Sequence, residues 1–335
     1  LLEKTKEEKV MKALRSQKTN AGVTSRVEDI ATPQLAEGSV LIRAEYSGLN
    51  YKDALGVTGK GSIFKTLPIT GGIDVSGTVE QSLSPAFKKG DFVLVNGGGL
   101  GETHDGGYAE FVVEKAENIV LRAKTLSARE AMIYGTAGFT AALCLERLLQ
   151  NGQTPEKGPI LVTGASGGVG QFAVTFFAKM GFEVHALTGK RELASRLEAI
   201  GAKKVIFTSQ LELGSRPLES VRYGGAIDNI GGATLAGVLA HTQLWGNVAS
   251  VGLASSHELH ASVMPFILRG VSLIGISSNN TPRDLRIKIW ERLATELKPE
   301  KLEDYISQVI RLEDVPDSAT KMLNRESHGR TLIEF

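Results

Sequence analysis

From Val40 to Val120 the apolar residues come in short runs broken by turn-forming residues. Examples are Val40-Leu41-Ile42, Gly77-Thr78-Val79, Phe92-Val93-Leu94-Val95 and Tyr108-Ala109-Glu110-Phe111-Val112-Val113. Runs of this length, punctuated by glycine, predict the short strands of a β-rich, partly barrel-like unit. The pattern changes near residue 131. Ala141, Cys144, Leu145, Leu148 and Leu149 recur at helical spacing and predict a helix over 136–149. Beyond it, strands are expected at 160–163, 183–187, 205–207, 225–228 and 247–252, with helices over 168–180, 191–200 and 232–243. Such alternation predicts an α/β unit, a doubly wound parallel sheet with crossover helices. The tail reads as a strand at 271–276, a helix at 281–297 and a last strand at 331–335. No repeat at solenoid periods interrupts this order. The expected division is a discontinuous β-rich unit, residues 11–130 and 265–335, and a nucleotide-binding unit at 131–264.

Composition narrows the classes. The 335 residues carry 38 Lys and Arg against 37 Asp and Glu, a net charge of +1, so no long-range field favours nucleic acid or a membrane. A hydrophobic share of 42% supports large cores, and no apolar run approaches the roughly 18 residues of a membrane span. Residues 1–10 hold three Lys and three Glu and no signal-peptide core, and the fold is read from Met11 onward. The expectation is a soluble cytoplasmic protein of two domains. Glycine is in surplus at 38, with ten in residues 71–107 and seventeen in 151–252. Cysteine stands alone at Cys144, which excludes an internal disulfide and a four-cysteine structural zinc site.

The strand Ile160-Leu161-Val162-Thr163 runs directly into Gly164-Ala165-Ser166-Gly167-Gly168-Val169-Gly170 and then an apolar helix closed by Gly181. Strand, glycine turn and helix in that order offer free backbone N–H groups and the positive end of a helix dipole to a pyrophosphate. Ser166, Gly167, Gly168 and Val169 are therefore candidate cofactor contacts. The same residues also satisfy the G-x-S-x-G of a hydrolase nucleophile elbow at 164–168. Asp228 and His257 follow in the chain order of a triad, and Gly97-Gly98-Gly99 imitates an oxyanion loop, so a serine hydrolase is the competitor from another class. What separates the two is the turn about 20 residues later, Thr188-Gly189-Lys190-Arg191. NAD sites place Asp or Glu there for the ribose 2′-hydroxyl. A hydroxyl followed by two cations suits a 2′-phosphate instead, although a solvated basic helix start reads the same way in isolation. Coupled to the glycine turn, it favours NADPH.

These residues carry a family resemblance. A β-rich unit, a nucleotide-binding unit and a return strand, in this order, resemble the medium-chain dehydrogenase/reductase superfamily. Leu49-Asn50-Tyr51-Lys52-Asp53, Gly72-Ile73-Asp74-Val75-Ser76-Gly77 and Gly101-Glu102-Thr103-His104 resemble its zinc-free acrylyl-CoA reductase branch, with quinone oxidoreductases as neighbours. Gly135-Thr136-Ala137-Gly138-Phe139-Thr140 and Met264-Pro265-Phe266-Ile267-Leu268-Arg269 are similar to it as well. The resemblance implies a Rossmann sheet beside a GroES-like, partly open barrel. It implies an NADPH-dependent reductase of activated carbon–carbon double bonds, with acrylyl-CoA, another enoyl thioester or a quinone as substrate. It also implies Thr140, and Tyr51 beside the nicotinamide, as cofactor contacts.

Zinc-dependent relatives carry Gly-His-Glu where this chain reads Gly72-Ile73-Asp74, and Cys144 lies in an apolar helical pattern that suits a core thiol. The expectation is chemistry without a metal. Conjugate reduction sends a hydride to the β-carbon and leaves an enolate that needs a hydrogen bond and a proton. Tyr51 is the first candidate for that donor, and Asn50 a candidate for orienting carbonyl groups. Lys52 and Asp53 are expected to pair and hold the loop, with Lys52 a secondary proton source. For all four a purely loop-stabilising role stands beside the catalytic one. Ligands bind outside the carboxyl ends of parallel strands, which nominates Asn229, Ile230, Gly252 and Leu253. Ile276 and Ser277 follow by analogy with the family. Arg330 is read either as a cation for phosphate or substrate, or as a plain surface arginine. The 271–276 strand, if its edge is free, would extend the sheet across a twofold into a homodimer. A non-enzymatic NADPH-binding role also occurs in this superfamily.

Overall fold

The computed structural model describes residues 10–20 and 22–335, which fold into two compact units. The first comprises the described residues up to Thr136 with Asn279–Ile287 and Lys301–Phe335. A hairpin of β1 (Val10–Thr19) and β2 (Gly22–Ala31) joins β4 (Ile69–Thr70) in a three-stranded sheet ordered β2-β1-β4. The larger sheet contains β3 (Ser39–Leu49), β5 (Asp74–Ser82), β6 (Phe92–Asn96), β7 (Phe111–Lys115) and β8 (Val120–Leu121). It also takes in the last two strands of the chain, β15 (Ile306–Ile310) and β16 (Arg330–Glu334). Its order is β15-β16-β3-β5-β6-β8, with β7 paired to β3. Val40, Ile42, Val75, Val79, Val93, Val95 and Val112 alternate inward along these strands and form one core. A second core joins α1 (Tyr51–Val57) to α8 (Val315–Leu323) through Leu49, Ala54, Val57, Val315 and Ala319.

The second unit is residues 137–278 and Lys288–Glu300. Its sheet is wholly parallel, from β9 (Ile160–Thr163), β10 (Val184–Thr188), β11 (Lys204–Phe207), β12 (Tyr223–Asp228), β13 (Thr242–Ser250) and β14 (Ser272–Gly275), ordered β11-β10-β9-β12-β13-β14. The chain winds outward from β9 to one edge and then from β12 to the other, so the topological switch lies between β9 and β12. Every residue of β9 and β12 is buried, as strands covered on both faces require. The intervening helices are α3 (Gly168–Lys179), α4 (Ala194–Ala199) and α5 (Gly232–His241). Leu235, Val238 and Leu239 of α5 pack on Leu161, Leu187, Ala226 and Val248 of the strands.

The architecture is the expected one: α/β, with a Rossmann parallel sheet and a separate β-rich GroES-like unit. Some boundaries differ. The predicted 136–149 helix is the part of α2 (Ala128–Gln150) that follows a kink at Gly135 (φ +47°), and the helical turns before the kink went unpredicted. Residues 265–278 group with the parallel sheet, not the β-rich unit, because β14 is its sixth strand. The predicted 281–297 helix is α7 (Arg283–Ala294), divided between the units after Ile287. Short α6 (Met264–Arg269), with α1, α8 and β15, went unpredicted. No helix among the described residues is long and apolar enough to cross a membrane.

Candidate functional site

In the second unit the sequence candidates gather at the carboxyl ends of the parallel strands. Gly167 caps α3 without any side-chain hydrogen bond, leaving the first-turn N–H groups to a ligand. Gly170 is required for packing: a Cβ there would meet Gly164 O at 2.3 Å. Ser166 is buried, and Thr188 Oγ1 donates to its hydroxyl at 3.1 Å while accepting from Lys190 N at 3.0 Å. The glycine turn and the basic turn are thus tied together by two hydroxyls. Burial lowers the Lys190 pKa, which makes an anionic neighbour favourable. The Arg191 guanidinium lies 4.4 Å from the Phe207 ring centre and donates to Ser209 Oγ at 3.4 Å. Gly189 faces Thr208. Phe207, Thr208 and Ser209 escaped the sequence reading, although the strand-end rule applied to β11 finds them.

At the switch point Asn229 is fixed to β9. Its backbone N–H donates to Thr163 Oγ1 (2.9 Å) and its side-chain nitrogen to Thr163 O (2.7 Å), while its buried Oδ1 has no hydrogen-bond partner. An orphaned acceptor there fits a donor brought by a ligand. Ile230 O accepts from Ser255 N, and Gly252 N donates to Asp228 O. Leu253 is exposed, and Ile276 and Ser277 follow the end of β14. Thr140 is buried on α2. These features fit a dinucleotide with a 2′-phosphate.

The hydrolase alternative fails on the same geometry. The Ser166 hydroxyl is partnered by Thr188, His257 is exposed, and Asp228 accepts from Thr163 Oγ1 (2.8 Å) and Gly231 N (2.7 Å). No base is hydrogen-bonded to the nucleophile among the described residues. The N–H groups of Gly97 and Gly98 are committed to Ile73 O and Asn279 O, so no oxyanion loop is available.

In the first unit Asn50 caps α1, and the phenol of Tyr51, the next residue, is 37% exposed. It makes no hydrogen bond among the described residues. Lys52 does not pair with Asp53 as expected: its Nζ lies 2.5 Å from Glu102 Oε2. Asp53 turns inward and accepts from Asn50 N (3.0 Å), Asn50 Nδ2 (3.1 Å) and Ile73 N (2.9 Å). Asn50 Nδ2 also donates to Asp74 Oδ2 (2.8 Å), and Asn50 Oδ1 accepts from Arg330 Nη1 (2.9 Å). With its amide so occupied, Asn50 is a positioning residue and not a group that orients substrate. Burial, followed by the negative charge of Asp74, raises the Asp53 pKa to about 7.

Arg330 is a correction. It is neither a surface arginine nor a phosphate contact, for it is 2% exposed and donates to Ile133 O (2.9 Å), Met132 O (3.3 Å) and Asn50, with Asp74 at 3.8 Å. Asp74 also accepts from Thr136 N (2.8 Å) and Thr136 Oγ1 (2.6 Å). The sequence drew attention to Asp74 only as the residue replacing a zinc-type motif. It is the centre of the network.

A chain that joins a nucleotide-binding parallel sheet to a GroES-like unit has the architecture of the dinucleotide-dependent dehydrogenases and reductases. The family described as Zinc-binding dehydrogenase matches residues 168–295, and the Alcohol dehydrogenase GroES-like domain matches residues 36–124. The probable acrylyl-CoA reductase AcuI of Escherichia coli is 42% identical, over 97% of this chain and 99% of its own. The putative quinone oxidoreductase YhfP of Bacillus subtilis is also 42% identical, over 97% and 99%. A solved structure of the yhdH oxidoreductase from Salmonella enterica in complex with NADP superposes with a TM-score of 0.93 at 41% identity, covering 97% of this chain and 100% of that one. The chain belongs to the medium-chain dehydrogenase/reductase superfamily, within the branch of acrylyl-CoA reductases and quinone oxidoreductases.

Zinc, which the first family's description mentions, does not fit. No group of three or more His, Cys, Asp or Glu among the described residues is arranged to hold a metal ion. Asp74 is filled by its donors, and Cys144 is a wholly buried thiol whose pKa burial pushes up.

Proposed function

We propose that this protein is an NADPH-dependent reductase of activated carbon–carbon double bonds, acting on acrylyl-CoA or a related enoyl thioester. The observation that carries the cofactor reading is the tied pair of turns. The glycine turn presents helix N–H groups, and the Thr188-Gly189-Lys190-Arg191 turn supplies cations where a carboxylate would select NADH. The structure from Salmonella enterica with NADP supports it. The thioester reading draws on the acrylyl-CoA reductase relative.

Bound NADPH supplies a hydride to the β-carbon. The double-bond electron pair moves to the thioester carbonyl oxygen, and a proton then completes the α-carbon. Tyr51 is the group assigned to that oxygen, since its phenol is partly exposed and uncommitted. Asn50 and Asp53 hold the first turn of α1 from which Tyr51 projects. Lys52, neutralised by Glu102, serves the loop. Quinone reduction is the second reading, favoured by the quinone oxidoreductase relative at the same identity. Following nicotinamide absorbance with acrylyl-CoA and with simple quinones, using NADPH and NADH in turn, tests both. Turnover of quinones alone would exclude the thioester assignment, and preference for NADH the cofactor assignment.

We also infer a homodimer. Strand β14 is an edge of the parallel sheet, and the nearby α6 segment exposes Val263, Ile267 (72%) and Leu268. An unpaired edge beside an apolar surface suits pairing with a second copy. Light scattering that returned a monomer mass would reject it.

A further inference from the structure

Apart from the pairing of Glu102 with Lys52, the stretch Gly101-Glu102-Thr103-His104 takes no part in the chemistry above. It borders a cavity of about 400 Å³ that lies wholly within the first unit. Thr103, His104, Lys115, Asn118, Asn280 and Arg286 line it. We propose that this cavity is an anion subsite that takes a phosphate of the coenzyme A tail. The inference rests on the enoyl-thioester reading and gives it a second point of attachment.

The cationic character of the cavity is built into its wall. His104 Nε2 lies 2.8 Å from Glu114 Oε2, and the other Glu114 oxygen accepts from Lys115 N (2.7 Å) and Asn118 Nδ2 (3.0 Å). The buried carboxylate is fully engaged, and its hydrogen bond raises the pKa of His104 against the opposing effect of burial. The second imidazole nitrogen meets Thr103 Oγ1 at 3.1 Å. Arg286 is buried and held to the wall through the carbonyl oxygens of Asn279 (3.1 Å) and Thr281 (3.4 Å). Burial, followed by the like charge of Arg283, lowers its pKa, the condition in which a nearby anion stabilises the cation. The Lys115 ammonium is exposed and makes no hydrogen bond or ion pair among the described residues. Glu117 is the acidic side chain in the lining, set against Lys115 and Arg286, while His104 is paired with Glu114.

The cavity wall is linked to the segment that carries Tyr51. Glu102, beside Thr103, pairs with Lys52, the neighbour of Tyr51, and Asn279 Nδ2 reaches the same Glu102 oxygen at 3.4 Å. A coenzyme A thioester joins its reacting acyl group to its phosphates through a flexible arm. Pantetheine is such an arm, whereas a simple quinone has neither arm nor anion.

The test is calorimetric titration of NADP⁺-saturated protein with coenzyme A, pantetheine and inorganic phosphate. Lys115→Ala is expected to weaken coenzyme A binding about fivefold, the upper range for one exposed ion pair. Pantetheine binding stays unchanged, and Lys115→Arg restores the loss. The KM for acrylyl-CoA rises in parallel while that for acrylyl-pantetheine does not. Equal coenzyme A affinity in wild type and Lys115→Ala overturns the subsite, as does inorganic phosphate binding as tightly as coenzyme A. Turnover of acrylyl-CoA with an unaltered KM in Lys115→Ala removes the subsite alone. No acrylyl-CoA turnover in the wild type removes the thioester reading itself.

Discussion

Asn50 Nδ2 lies 2.8 Å from Asp74 Oδ2, so the residue that starts the Tyr51 helix is held by the carboxylate that also anchors Thr136. The network gathers Asp53, Asp74, Asn50 and Arg330 away from water, where each polar group depends on its neighbours.

Arg330→Met is expected to destabilise the protein by about 3–5 kcal/mol, because it leaves buried carboxylates without their cation. The midpoint of urea unfolding reports it. A midpoint within experimental error of wild type would show that Arg330 is dispensable to the network.

Asp53 gives stability a definite pH dependence. Its folded pKa, about 7, is above the unfolded value near 3.8, so the folded state holds the extra proton between these limits. That contribution is complete below about pH 4 and is lost as pH rises toward 7, a matter of a few kcal/mol at about 1.4 per unit. Asp53→Asn should be less stable overall, having lost an acceptor, yet lack this slope. Unfolding measured from pH 4.5 to 8 checks it, and an identical slope in the variant would assign the effect elsewhere.

Tyr51→Phe should lower kcat about a hundredfold if its hydroxyl serves the enolate oxygen. NADPH affinity, measured by nicotinamide fluorescence, should be unchanged. An unaffected kcat would remove Tyr51 from the reaction.

Lys190→Ala combined with Arg191→Ala should weaken NADPH binding about tenfold and leave NADH binding unchanged, since charge-assisted hydrogen bonds to an exposed phosphate are screened by water. Equal weakening of both cofactors would mean that the turn does not read the 2′-phosphate.

Gly135→Ala places a Cβ 2.5 Å from Asp74 Oδ2 at a φ of +47°. A loss of about 1–3 kcal/mol is expected from the strained backbone alone. Thermal unfolding unchanged from wild type would show that the kink relaxes.

The parallel sheet was legible because strands buried on both faces are written as continuous apolar runs, as in Ile160–Thr163. The turn at 188–191 was legible as the end of β10 because the apolar run of that strand stops there. Short α1 and α6 were not, for neither is long enough to show helical period. Arg330 was misread for another reason. Sequence neighbours say nothing about a partner such as Asp74, brought close only when β16 pairs with β3. For Asn50 the sequence left a substrate-orienting role beside a loop-stabilising one, and only tertiary packing shows its amide engaged by Asp53, Asp74 and Arg330.

Cys144 has a meaning beyond core packing. The conjugated thioesters proposed as substrates are electrophiles that alkylate exposed thiolates. This chain presents them with a single cysteine, wholly buried and kept protonated by its surroundings. A reductase of such thioesters is thereby spared alkylation at cysteine by its own substrates.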